Sequence, residues 1–70
     1  MTVKRNEADV ACEIISEKQG PVFYRELLEE ILSRMGREIN PRNMAAVYTQ
    51  LNLDNRMMHV GDGYWTVRVR

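Results

Sequence analysis

Apolar residues recur along this chain first at helical spacing and then, near the end, in alternation. Val10, Ala11, Ile14 and Ile15 form one helical stripe, with Glu13 and Glu17 on the opposite, polar face. Asn6 caps this helix, which runs through Gln19 with Asp9 in its first turn, and Gly20-Pro21 supplies a left-handed stop followed by a breaker. If Thr2 is the cap instead, Val3 belongs to an extra amino-terminal turn. Val22 and Phe23 are too few for more than a short extended piece, one that suits a third strand beside a later hairpin. Helix resumes near Tyr24: Leu27, Leu28, Ile31, Leu32 and Met35 share a face, Gly36 ends the run, and Arg25/Glu29 and Glu30/Arg34 are i,i+4 pairs on the wet side.

After the linker Arg37-Glu38-Ile39, Asn40-Pro41 is a cap residue followed by proline at the first helical position, where a missing N–H costs nothing. The third helix, 40–53, turns Met44, Val47, Tyr48 and Leu51 inward and Arg42, Asn43, Thr49, Gln50 and Asn52 outward, and Leu53 is expected to seal its end. Asp54-Asn55 is a turn signal, with Asn55 suited to a positive φ. Arg56–Val60 and Trp65–Arg70 alternate around Gly61-Asp62-Gly63, which predicts a β-hairpin. Met58, Val60, Trp65, Val67 and Val69 are placed on its covered face, with Met57 on the other and His59, Arg68 and Arg70 outward. Three helices closed by a hairpin make an α+β winged helix-turn-helix, a fold that mostly docks on nucleic acid or protein.

Seventy residues with 44% hydrophobic content suffice for one domain, expected to occupy residues 1–70, and lie near the lower limit for a self-sufficient core. Nearly all large apolar side chains are then committed to packing, leaving few for a deep pocket. The lone Cys12 excludes an internal disulfide and suits a reducing compartment, so a cytoplasmic location is expected; the domain is expected to be a monomer. The start runs into charges at Lys4 and Arg5 instead of a signal peptide's apolar core, and no segment approaches the length needed to cross a bilayer.

Formal net charge is zero, but residues 39–70 hold Arg42, Arg56, Arg68 and Arg70 against Asp54 and Asp62. So few arginines neutralise only a few phosphates, and direct nucleic-acid binding is expected to be weak or nil and steeply salt-dependent.

The inventory argues against catalysis and against a metal or cofactor. Cys12 and His59 are the only soft ligands, whereas a structural zinc site wants four. One histidine and no serine in a strained elbow make no nucleophile–base–orienter set. Glu13/Glu17 and Glu26/Glu30 lie one helical turn apart on solvated faces, where nothing raises a carboxyl pKa for acid/base work. Gly61-Asp62-Gly63 precedes a strand and lacks the lysine and hydroxyl of a phosphate loop. Met35, Met44 and Met58 are assigned to the core by spacing, and Met57 to either exposure or a partner contact.

The run from Met44 to Arg68 resembles the amino-terminal domain of the bacterial RNA polymerase delta subunit, in the HARE-HTH superfamily of winged helices. The matching residues are Tyr48, Thr49, Gln50, Leu51, Asn52, Asp54, Arg56, Asp62 and Trp65, with Pro21-Val22 and Glu26-Leu27-Leu28 upstream. The amino-terminal segment is shorter than the family's, and these 70 residues do not include the family's long acidic tail, so the nucleic-acid displacement assigned to that tail is not expected of them. The resemblance implies a noncatalytic domain that docks on RNA polymerase core subunits near the downstream DNA and modulates transcription. It also implies that Arg56 braces the turn by pairing with Asp54 or Asp62. The alternative is a small DNA-binding winged-helix regulator reading DNA through helix 40–53, with Arg68 and Arg70 in the wing. Candidate partner or nucleic-acid contacts on either reading are Arg42, Asn43, Gln50, Arg56, Arg68 and Arg70.

Overall fold

A computed structural model describes residues 6–68. Helix α1 spans Glu7–Lys18, strand β1 Val22–Phe23, helix α2 Tyr24–Arg34, helix α3 Pro41–Leu53, strand β2 Met57–His59 and strand β3 Tyr64–Val67. Together these elements form the winged-helix arrangement: three helices and a three-stranded antiparallel sheet of order β1-β3-β2. The short Val22-Phe23 piece is the third strand. The readings placed on Thr2, Val3, Val69 and Arg70 lie outside the described residues.

Each helix is started by a different device. For α1 it is a capping box, in which Asn6 Oδ1 accepts from the Asp9 N–H at 2.9 Å and the Asp9 carboxylate accepts from the Asn6 N–H at 3.0 Å. For α3, Asn40 Oδ1 accepts from the Asn43 N–H at 2.8 Å, and Pro41 takes the first position. Helix α2 follows β1 with no side-chain cap. Its first amide, at Tyr24, instead donates to the Gly63 carbonyl at 2.8 Å, so the hairpin turn supplies the missing acceptor.

Gly36 ends α2 with φ 71°, and the Arg37 N–H reaches back to the Leu32 carbonyl at 2.9 Å. At the end of α1 the left-handed residue is Gln19, φ 58°, and not Gly20. Pro21 disfavours helical geometry in the residue before it, so the left-handed turn falls one position upstream. The Gly20 N–H then bonds the Ile15 carbonyl at 3.4 Å.

Ala8, Val10, Ala11, Ile14 and Ile15 of α1, Leu27, Leu28, Ile31 and Leu32 of α2, and Val47 and Leu51 of α3 meet Val22, Met57 and Trp65 of the sheet in one core. Trp65 is 1% exposed, at the centre of the middle strand between Val22 and His59. Met44 and Met35 pack at the margin.

On β2 the covered and outer faces are the reverse of the sequence expectation. Met57 is buried, at 7% exposure, whereas Met58 and Val60 face outward at 38% and 45%. The pairs Met57↔Val67 and His59↔Trp65 set the register. The expected alternation required a one-residue slip, which moves every side chain of a strand to the other face. His59 therefore lies on the Trp65 side of the sheet, although it stays exposed.

Two positions of α3 also differ. Leu53 is 73% exposed; at about 100° per residue it lies some 200° round the helix from Leu51, so it cannot share that residue's face. Tyr48, about 100° from buried Val47, sits at the edge of the inward stripe and is half open to solvent. Asn55 does not take a positive φ; in the hairpin Asp62 does, with φ 52° between Gly61 and Gly63.

Candidate interaction surface

Helix α3 carries Arg42, Thr49, Gln50 and Asn52 on its solvent side. Arg42 and Gln50 are exposed, whereas Asn43 is half-buried and donates its amide to the Glu38 carbonyl at 2.8 Å, tying the preceding linker to the first turn. The Thr49 hydroxyl donates back to the Ala45 carbonyl at 3.0 Å. Arg68 is exposed just past β3, and its backbone N–H donates to the Arg56 carbonyl at 2.7 Å. Arg70 lies outside the described residues.

Arg56 is engaged within the fold. Its Nε and Nη2 donate to the two carboxylate oxygens of Asp54, each at 3.0 Å, and its Nη1 donates to Asp9 Oδ1 at 2.9 Å. The Asp54 carboxylate also accepts the Arg56 backbone N–H at 2.8 Å. The guanidinium thus joins the first turn of α1 to the corner that starts the hairpin. Pairing with Asp54 follows the expectation; the second partner is Asp9, not Asp62.

The charges adjust accordingly. Hydrogen bonds from Arg56 hold the Asp54 carboxyl below its ordinary value. Asp9 is lowered first by the Asn6 backbone N–H and then by Arg56. Arg56 is held further above its ordinary range, chiefly by Asp54. A similar clasp joins α1 to α2, where Arg34 donates to both oxygens of Glu17 at 2.7 and 2.9 Å and to Glu30 at 3.2 Å. That contact lowers the Glu17 pKa. Arg37 reaches Glu7 at 3.2 Å.

Sequence reasoning did not anticipate the aromatic surface. The chain has three tyrosines, one phenylalanine and one tryptophan, and all of them join a single network of ring contacts. Phe23 touches Tyr24 and Tyr64, with centroids 4.9 and 5.5 Å apart. Tyr24 meets Tyr48 edge-on at 6.4 Å, and Tyr48 meets Trp65 edge-on at 5.6 Å. His59 lies 4.0 Å from Trp65, centroid to centroid, and its Nε2 is 3.3 Å from Asn52 Oδ1.

Only Trp65 of the network is buried; Tyr24, Tyr48, Phe23 and Tyr64 each keep 37–42% of their surface in solvent. Tyr24, Tyr48, His59, Gly63 and Trp65 line a recess at the seam between helices and hairpin. A shallow groove along Tyr24, Arg25, Leu28, Met44, Ala45 and Tyr48 adjoins it. The available signal was the adjacent Phe23-Tyr24 pair and Tyr64 beside the turn glycine Gly63, but the meeting of Tyr24 with Tyr48 depends on how α3 packs.

Among the described residues no group of three or more His, Cys, Asp or Glu is placed to hold a metal ion, and no polar or charged side chain is buried. Cys12 is half-buried on α1, and burial pushes its thiol pKa up, away from thiolate chemistry. Among those residues no helix is long and apolar enough to cross a membrane.

No protein-family model matches the sequence. The chain is 40% identical over 63 residues to a Bacillus velezensis protein described as a probable DNA-directed RNA polymerase subunit delta, a match covering 86% of this chain and 35% of that protein. It is 38% identical over 63 residues to the DNA-directed RNA polymerase subunit delta of Bacillus subtilis, covering 86% and 36%. Against the probable delta subunit of Bacillus licheniformis the identity is 36% over 62 residues, with the same coverage of both chains. The chain therefore spans about a third of the length of the curated relatives it matches. Over most of its residues it is homologous to a region of the bacterial RNA polymerase delta subunit.

Proposed function

We propose that this chain is a single, noncatalytic winged-helix domain of the delta-subunit type, a member of the HARE-HTH superfamily, that docks on core RNA polymerase in the cytoplasm and modulates transcription. The observation that carries the reading is 40% identity to a polymerase delta subunit sustained over 63 residues, in a chain whose helices and hairpin have winged-helix order. Candidate contacts are Arg42, Asn43 and Gln50 on α3 and Arg68 beside the hairpin, together with Arg70. Arg56 belongs to this set as the brace that positions the hairpin.

The test is capture of purified core polymerase by the immobilised chain at low salt, with wild type against Arg42→Glu/Gln50→Ala. Saturable capture by wild type that is weakened by the double variant supports docking through α3. A folded chain that captures no polymerase subunit overturns the docking reading. The DNA-regulator alternative draws on the exposed Arg42 and Gln50 of α3, and a salt titration with duplex DNA separates the two. A regulator prefers its site to random duplex by orders of magnitude, whereas a docking domain binds both weakly.

A further inference from the structure

We propose that the recess lined by Tyr24, Tyr48, His59, Gly63 and Trp65 receives the guanidinium of an arginine side chain presented by a partner protein. For the partner's identity this rests on the docking reading above; the affinity for the cation stands independently of it.

The lining decides the chemistry. It consists of four rings and a bare glycine, with no lysine, arginine, aspartate or glutamate. Ring faces carry partial negative charge and attract a cation, while no ammonium or guanidinium is present in the recess to hold a phosphate. A nucleotide would therefore find stacking surface without an anchor. The rings stand at steep angles, 84° for Tyr24 against Tyr48, 68° for Tyr48 against Trp65 and 62° for Tyr48 against His59. A flat ion lying on one ring thus turns its N–H edges toward the next. Guanidinium is flat, delocalised and weakly hydrated, whereas ammonium is a compact, strongly hydrated point charge.

The recess is also built in advance. The Tyr24 amide is tied to the Gly63 carbonyl at 2.8 Å. A Cβ on Gly63 would come within 3.2 Å of the Tyr24 ring and 3.0 Å of Phe23, so only glycine lets the turn lie this close beneath the aromatic pair. Tyr48 abuts the buried indole, and His59 is held beside Asn52. Little side-chain freedom remains to be lost on binding.

Trp65 is the chain's sole tryptophan and, 1% exposed, forms the floor of the recess in contact with Tyr48 and His59, so its fluorescence reports a change in the rings above it. The experiment titrates the folded chain with N-acetyl-arginine amide, its neutral isostere N-acetyl-citrulline amide, and adenosine monophosphate. Amide NMR shifts at Tyr24 and Gly63 are followed in parallel. Arginine is expected to saturate both signals and to bind roughly two- to fivefold more tightly than citrulline, the range of a surface cation–π contact. Tyr48→Leu and Tyr24→Leu should each weaken it severalfold, while Tyr48→Phe, which keeps the ring, and Tyr64→Leu, outside the recess, should leave it unchanged. Circular dichroism verifies the fold of each variant.

Equal binding of arginine and citrulline, tighter binding of the nucleotide, the absence of saturation, or indifference to both leucine variants overturns the proposal. Arginine binding without polymerase capture keeps this site and removes the docking reading. Polymerase capture without arginine binding does the reverse.

Discussion

Two seams fasten the hairpin to the helices, and they use their residues in opposite ways. At one, Arg56 is pinned between Asp54 and Asp9. At the other, Trp65 is sunk among helices while Tyr24 and Tyr48 stand half open above it. Arginine, the residue type expected to meet a partner, is spent on internal bracing, whereas aromatic residues, the type expected in the core, supply open surface. The charged seam is exposed and therefore screened by water and salt. The aromatic seam has a dry base, and that is where the stabilisation resides.

The sharpest way to break this comparison is Trp65→Ala. Truncating a buried aromatic costs about 3–5 kcal/mol, against a total stability of only about 4–10 kcal/mol for a chain of this size. The variant should be largely unfolded or melt far below wild type in thermal circular dichroism. If it melts no lower than Arg56→Ala, the assignment of stability to the aromatic seam fails.

Gly63→Ala comes next. At φ 81° an L side chain costs about 1–2 kcal/mol, and the new Cβ would sit 3.0 Å from the Phe23 ring. Chemical denaturation should show a lower midpoint with unchanged slope. The loss should exceed that of Gly20→Ala, whose site is open and whose φ is not left-handed.

Arg56→Ala should have a smaller effect, since its ion pairs are solvent-exposed. The deficit relative to wild type should shrink in about 1 M salt, where screening acts within about 3 Å. A deficit that ignores salt would show that Arg56 acts by packing its stem instead of by its charge.

The smallest expected effect is on pH dependence. Asp9 and Asp54 are both held below the ordinary 3.8 in the folded chain. Their contribution is therefore complete above that value and is lost as pH falls through the lower folded values. Wild-type stability should drop below about pH 4, and Arg56→Ala should drop less steeply there because its carboxyls titrate closer to the unfolded values. Parallel curves for the two proteins would remove Arg56 from the acid response. Arg56 itself stays protonated throughout and adds no slope of its own.

Local signals in the sequence were enough for most element boundaries. Asn6, Asn40-Pro41 and Gly36 mark helix ends through bonds made within a few residues. The apolar spacing of Leu27, Leu28, Ile31 and Leu32 names a buried face without reference to anything distant. Gly61-Asp62-Gly63 likewise identifies the hairpin turn, because its positive φ values are local requirements.

Whatever depends on two elements meeting was decided only in three dimensions. Which face of β2 is covered follows from its register on β3, where a one-residue slip exchanges Met57 for Met58. Asp9 and Arg56 lie 47 positions apart, and their pairing arises from the docking of α1 beside the hairpin corner. Tyr24, Tyr48 and Trp65 come from three elements, and neither their spacing nor their chemistry announces a shared recess. Short-range hydrogen bonds and periodicity are encoded residue by residue, but convergence of side chains is a property of packing and appears only once the core has closed.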